Sequence, residues 1–122
     1  MSKSIGLYLH IPFCKSKCPY CDFYSTRAGE TEYSDYVFAL KEKIKYWSKR
    51  FDGIVKTVYI GGGTPSVLGA ERLCDILSSV KENFTLENNA EITVEVNPDS
   101  GKKLDFALMK NTGFNRLSIG MQ

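Results

Sequence analysis

Three cysteines, Cys14, Cys18 and Cys21, stand at the spacing Cys-x3-Cys-x2-Cys inside "HIPFCKSKCPYCDFY", and a fourth, Cys74, lies far downstream. Thiolates in that arrangement can do three kinds of chemistry. The "CPYC" pair has the spacing of a dithiol couple, which works when a helix N-terminus stabilises the first thiolate. Here the helical pattern resumes only around Tyr33, and Cys14 would have no part. A structural zinc site would take Cys14, Cys18, Cys21 and His10 as a Cys3His set. His10, however, reads as a strand residue, where a lone histidine is more often packed or hydrogen-bonded. The third kind is a [4Fe–4S] cluster. Cluster irons take cysteine thiolates, usually four, so three in one tight loop leave one iron open to a small molecule that offers an amine and a carboxylate.

Two other segments bear on a ligand. "GGGTP", Gly61 to Pro65, ends an apolar run. It completes neither GxGxxG nor a phosphate-loop lysine pattern, and at its plainest it is a turn that uses glycine's freedom at positive φ. Glu95 sits in "EITVEVN" as a carboxylate on a strand, either a ligand contact or a solvated side chain. Cys74, on a helix, reads as a small buried hydrophobe with no role in the site. Pro12 and Pro19 constrain the backbone of the cysteine loop, and Lys15 and Lys17 read as exposed loop residues.

The elements that must position these residues follow from periodicity. "IGLYLHI" (5–11) is an apolar run of strand length, followed by a Cys/Pro/Gly-rich loop to about Gly29. In the next segment Tyr33, Tyr36, Val37, Leu40, Ile44, Trp47 and Phe51 recur at helical spacing, with lysines mostly opposite as a solvated face. "KTVYIGG" (56–62) is a second strand. A second helix carries Leu73, Ile76, Leu77, Val80 and Phe84 as its stripe. "EITVEVN" (91–97) is a third strand, "LDFALMKN" (104–111) a short helix stopped by Gly113, and "NRLSIGMQ" (115–122) a fourth strand. Strands alternating with helices argue for a parallel sheet with right-handed crossovers. One period-2 set is apolar: Leu7, Leu9, Val58, Ile60, Ile92, Val94, Val96, Leu117, Ile119 and Met121. The other is polar or glycine-bearing: Tyr8, His10, Tyr59, Gly61, Thr93, Glu95, Asn97, Ser118, Gly120 and Gln122. A doubly wound sheet would be apolar on both faces. One polar face favours an α/β barrel with chemistry at the C-terminal ends of its strands. The expected architecture is a partial (β/α)6, TIM-like barrel of about three βα units plus a fourth strand. With no helix to cover that strand, the chain reads as a piece of a longer protein.

Composition excludes more than it identifies. The chain has 122 residues, with 16 basic against 14 acidic side chains and a net charge of +2, a balance that points to neither nucleic acid nor an anionic membrane. Apolar runs are no longer than strands, so no membrane-spanning helix is expected. The N-terminus lacks a signal-peptide pattern. Clustered rather than dispersed cysteines suit metal or redox chemistry in a reducing compartment, and the expected location is the cytoplasm.

"CKSKCPYC" is identified as the signature of the radical S-adenosylmethionine superfamily. With "LYLHIPFCKSKCPYCDFY", "YIGGGTPS", "ITVEVNPDS" and "FNRLSIGMQ", the chain resembles the family of oxygen-independent coproporphyrinogen III oxidases and heme chaperones along essentially its whole length. The resemblance covers about the first third of such a protein. It implies that residues 1–122 are the N-terminal part of a radical SAM core domain, with a cluster loop at 12–24 and the rest of the barrel and a C-terminal domain lying beyond. It further implies that Cys14, Cys18 and Cys21 hold a [4Fe–4S] cluster whose electron cleaves the sulfonium of S-adenosylmethionine. Tyr8, Tyr20, Gly62, Gly63, Thr64, Glu95 and Gln122 match the family's cofactor contacts.

Within the family, decarboxylating oxidases carry a further cysteine two residues after the third, where this chain has Phe23, and an extension before the first strand. Both departures favour the heme chaperones. The expected function is therefore binding of heme and S-adenosylmethionine, with anaerobic decarboxylation of coproporphyrinogen III as the alternative and a zinc-stabilised binding module as a third reading. Implied partners are heme or a porphyrin, a flavodoxin-type reductant and a heme-acceptor protein. No nucleic acid is implied, and no segment here encodes membrane association. Replacing Cys14, Cys18 or Cys21 singly with alanine is expected to abolish iron–sulfur absorbance of the anaerobically purified protein, and Cys74→Ala to leave it intact. An unchanged spectrum removes that cysteine from the ligand set, and zinc without acid-labile sulfide overturns the cluster assignment.

Overall fold

The structure, a computed structural model, describes residues 3–13, 30–101 and 104–119. Cys14, Cys18, Tyr20, Cys21 and Gln122 lie outside the described residues. The elements run β1 (Lys3–Ile11), α1 (Glu30–Ser48), β2 (Gly53–Gly62), a 3-10 turn (Pro65–Leu68), α2 (Ala70–Asn83), β3 (Thr85–Val96), α3 (Pro98–Gly101), α4 (Phe106–Thr112) and β4 (Arg116–Ile119).

All strand pairs are parallel, and the sheet order is β1-β2-β3-β4. A strictly sequential order with right-handed crossovers puts every helix on the same face, and α1 packs on α2, which packs on α4. The doubly wound alternative is thereby excluded, and the fold is part of a TIM-like barrel. The alternation predicted from sequence is visible in the ladder. Leu9, Ile60 and Val94 are register partners across three strands and are buried beneath the helices with Val58, Ile92 and Val96. Tyr8, Tyr59 and Thr93 form the adjacent row, which points to the opposite, inward face.

The helices close this core from their own stripes. Val37, Leu40 and Ile44 of α1 and Leu73, Ile76, Leu77 and Val80 of α2 are buried in one cluster with Met109 and Phe114. Cys74 belongs to the same cluster, as its helical position predicted. The α4 helix begins two residues later than the sequence pattern suggested, because the Asp105 side chain caps it by accepting from the Leu108 N–H at 3.0 Å. It ends at Gly113, whose φ of 136° lets its N–H return to the Met109 and Lys110 carbonyls. Asn115 then aligns β4. Its Oδ1 accepts from Ile92 N–H at 2.8 Å and its Nδ2 donates to the Ala90 carbonyl at 2.9 Å.

Two further expectations change. The third strand starts at Thr85 rather than at 91, pairing Thr85 and Leu86 with Ile54 and Val55 before the register jumps to Thr57↔Glu91. The polar stretch at 87–90 that hid this start is taken up in that irregularity. Trp47 and Phe51 are not core residues. Trp47 is 59% exposed and borders the hollow beside β1 instead of entering the core, and Phe51 is half-buried past the helix end. The fourth strand agrees with the sequence reading over its described residues, Arg116–Ile119, and its Leu117 and Ile119 are exposed. Among the described residues no helix is long and apolar enough to cross a membrane.

Leu77→Ala removes a fully buried side chain and is expected to cost about 2–5 kcal/mol. Trp47→Ala, despite its larger side chain, is expected to cost about 0.5 kcal/mol or less. Urea-denaturation midpoints check the pair; equal losses would put Trp47 back in the core.

Candidate functional site

The inward face gathers its polar groups where β1, β2 and β3 end. Glu95, half-buried on β3, accepts from the Gly62 N–H through Oε1 at 3.0 Å and from the Tyr59 hydroxyl through Oε2 at 2.8 Å. Tyr59 stacks on Tyr8, with ring centroids 5.7 Å apart and an interplanar angle of 11°. On the other side, Ser118 is the register partner of Glu95. The Ser118 side chain lowers the Tyr59 pKa, but the bond to Glu95, burial and the Glu95 charge outweigh it, so the phenol titrates above its ordinary value. Tyr59 therefore keeps its proton at neutral and mildly alkaline pH and acts as the donor to the carboxylate.

The glycine segment is tied down by its own N–H groups. Gly62 donates to Glu95, Gly63 to the Ile11 carbonyl at 2.7 Å and Thr64 to the Phe13 carbonyl at 2.6 Å. Three consecutive donors are thus spent within the protein. No N–H of these three residues is left for an anion, the reverse of a phosphate-binding loop, where free N–H groups face the ligand. The Thr64 bond also holds Phe13, which precedes Cys14 in sequence, against the glycine segment. Phe13 is held from the other side by Tyr33 and Tyr36, in edge-on contacts at 5.0 and 5.3 Å, and the Tyr36 hydroxyl donates to the His10 carbonyl. Burial raises the Tyr36 pKa, which preserves that donor as well.

Gly62, Gly63, Thr64, Pro65, Glu95, Val96, Asn97 and Ser118 line a cleft of about 170 Å³. A larger hollow of about 310 Å³ lies at the outer edge of β1, lined mostly by apolar residues such as Leu7, Leu9, Leu40, Ile44 and Trp47. It lacks a convergent carboxylate, and the chemistry-bearing residues line the smaller cleft. Of the residues singled out in the sequence, Gly62, Gly63, Thr64 and Glu95 come together there. Tyr8 stands one step back, against Tyr59. Tyr20, Gln122 and the three cysteines of the loop fall outside the described residues. Tyr59, Ser118 and Asn97 were given no role from sequence. The period-2 pattern put all three on the polar face, and only cross-strand geometry reveals that one of them, Tyr59, holds Glu95. Ser66 was also missed; its hydroxyl accepts from the Asn97 N–H at 3.2 Å and so ties the 3-10 turn to the end of β3.

Two adjacent glycines are required for different reasons. A Cβ on Gly62 would lie 2.6 Å from the Ile11 carbonyl oxygen, at a φ of 120° that L side chains avoid. A Cβ on Gly61 would meet only side-chain ends: Tyr59 Cε1 at 2.8 Å, and Glu95 Oε1 and the Tyr8 hydroxyl at 2.9 Å. Gly62→Ala is expected to destabilise the fold by about 1–3 kcal/mol. Gly61→Ala is expected to destabilise less, since side chains can shift where a backbone carbonyl cannot, while displacing Glu95, detectable as changed chemical shifts or density at the cleft. Equal destabilisation by the two would contradict the asymmetry.

Comparison with known proteins agrees with this architecture. The chain matches the family model of the Radical SAM superfamily over residues 8–122. It is 42% identical over 120 residues to the heme chaperone HemW of Escherichia coli (strain K12), covering 97% of this chain and 32% of that protein. It is 40% identical over 121 residues to the heme chaperone HemW of Mycobacterium tuberculosis (strain CDC 1551 / Oshkosh), covering 96% of this chain and 31% of that one. The solved structure of coproporphyrinogen III oxidase (HemN) from Escherichia coli, described as a radical SAM enzyme, superposes with a TM-score of 0.84 at 31% identity, over 99% of this chain and 28% of that chain. The chain thus spans about a third of the length of the curated relatives it matches. The family match runs from Tyr8, through the cysteine loop and the glycine segment, to Glu95 and beyond, and on that basis the chain belongs to the radical SAM superfamily.

Proposed function

We propose that this chain is the N-terminal part of a HemW-like heme chaperone that binds a [4Fe–4S] cluster, S-adenosylmethionine and heme. The observation that carries the cofactor assignment is the acceptor-rich cleft. Glu95 is held by neutral donors, Tyr59 and Gly62, and the backbone N–H groups beside it are spent. A carboxylate and carbonyl oxygens suit a ligand carrying positive charge and N–H donors, and the methionyl ammonium of S-adenosylmethionine supplies both. On this reading Glu95 and the Gly62–Thr64 backbone take the ammonium, and Tyr20 and Gln122 add contacts from segments outside the described residues. Cys14, Cys18 and Cys21 hold the cluster; Phe13, which precedes Cys14 in sequence, is bonded to Thr64 at the cleft. The bound cluster supplies an electron to the sulfonium; the protein's residues bind, orient and shield the reactants.

The choice of a chaperone over a decarboxylase rests on Phe23, which occupies the position of the oxidases' further cysteine, and on the similarity to HemW proteins. A reductant of flavodoxin type and a heme-acceptor protein complete the proposed partners. The second reading, anaerobic decarboxylation of coproporphyrinogen III, draws on the likeness to the oxidase structure. The full-length protein, reconstituted anaerobically, is expected to bind heme stoichiometrically and to yield no protoporphyrinogen IX from coproporphyrinogen III with S-adenosylmethionine and reductant. Rapid product formation would overturn the chaperone assignment.

A further inference from the structure

The geometry points to Tyr59 as a positioning residue that fixes the Glu95 carboxylate for the ligand's ammonium group. The inference rests on the reading of the cleft as the S-adenosylmethionine site and extends it to a residue that was given no role from sequence. A glutamate has three rotatable bonds, and an unrestrained carboxylate would lose that freedom on binding a ligand. Here the freedom is already removed. Oε2 accepts from Tyr59 and Oε1 from Gly62 N–H, so both oxygens have one donor each and lone pairs remain on both. The plane of the carboxylate is set before any ligand arrives, and its unused lone pairs are available along the cleft that Gly63, Thr64 and Asn97 also line.

Tyr59 can do this because its own ring is fixed. The ring lies against Tyr8 in a near-parallel stack, and its hydroxyl is bonded to Glu95. The chain of contacts runs from Tyr8, through Tyr59, to Glu95, with one residue each from β1, β2 and β3. Because the phenol is uncharged, it orients Glu95 without cancelling the negative charge that attracts an ammonium. A lysine or arginine in the same place would neutralise the carboxylate. The raised pKa of Tyr59 keeps it in the donor state. Tyr8, expected from sequence to touch the cofactor, has a role here even without doing so, as the surface on which Tyr59 rests.

Tyr59→Phe keeps the ring and its stack and removes only the hydroxyl. In the anaerobically reconstituted full-length protein, with iron–sulfur absorbance as the control for folding and loading, two ligands are titrated by calorimetry. One is S-adenosylmethionine; the other is 5′-methylthioadenosine, which has no amino-acid moiety. Tyr59→Phe is expected to weaken S-adenosylmethionine about three- to tenfold, the scale of one hydrogen bond, and to leave 5′-methylthioadenosine within about twofold. On a Glu95→Gln background, where S-adenosylmethionine binding is already weakened, Tyr59→Phe is expected to add nothing further. The proposal is overturned if Glu95→Gln weakens S-adenosylmethionine and Tyr59→Phe does not. It is also overturned if Tyr59→Phe weakens both ligands alike, as a merely structural role would. If Glu95→Gln leaves S-adenosylmethionine binding unchanged, the reading of the cleft itself fails and the proposal with it.

Discussion

The backbone N–H groups of Gly62, Gly63 and Thr64 are committed to Glu95, Ile11 and Phe13, and the arrangement of the site depends on those three bonds. They join the ends of three strands that are far apart in sequence. They bring the residue preceding Cys14 against the glycine segment, and they fix one oxygen of the carboxylate. They also decide the sign of the ligand. A glycine-rich strand end is often an anion site, because glycine exposes N–H groups; with those groups consumed, the same segment has no N–H left for an anion and lies beside a carboxylate. The chemistry then favours a cation with hydrogen-bond donors, which matches the amino-acid end of S-adenosylmethionine and not a phosphate.

This arrangement needs a sheet with two unlike faces. Sequential strand order puts the helices on one side, where the row through Leu9, Ile60 and Val94 is sealed by α1 and α2. The other face is then free to carry Tyr8, Tyr59, Glu95 and Ser118. Parallel pairing puts the C-terminal strand ends together, so that the end of β1 through Phe13, the glycine segment at the end of β2 and Glu95 near the end of β3 share one rim. That is the usual place for chemistry in a barrel, and it explains why the smaller polar cleft, rather than the larger apolar hollow beside β1, holds the candidate residues.

Much of this was legible in the amino-acid sequence because burial imposes periods. Alternation along β1, β2 and β3 separated Leu9, Ile60 and Val94 from Tyr8, Tyr59 and Glu95 without reference to any structure. The cysteine spacing identified the superfamily signature, although that loop lies outside the described residues. What was not legible depends on contacts between distant segments. The start of β3 was hidden in a polar stretch that pairs irregularly with β2. Trp47 fits the stripe of α1 by spacing, yet it borders the hollow beside β1 instead of entering the core, and helix periodicity carries no information about where the neighbouring strand lies. The bond between Tyr59 and Glu95 joins positions 59 and 95 at a residue separation no local pattern reports. Gly61 and Gly62 were read as one turn, but one is constrained by backbone and the other by the site's side chains.

The most direct test of the account is a structure of the full-length protein, purified anaerobically and bound to S-adenosylmethionine. The account predicts the methionyl ammonium within hydrogen-bond distance of Glu95 and the carbonyl oxygens of the Gly62–Thr64 segment, with the Thr64–Phe13 bond intact beside a cluster on Cys14, Cys18 and Cys21. A ligand whose ammonium lies elsewhere, or whose carboxylate occupies that position, would contradict it.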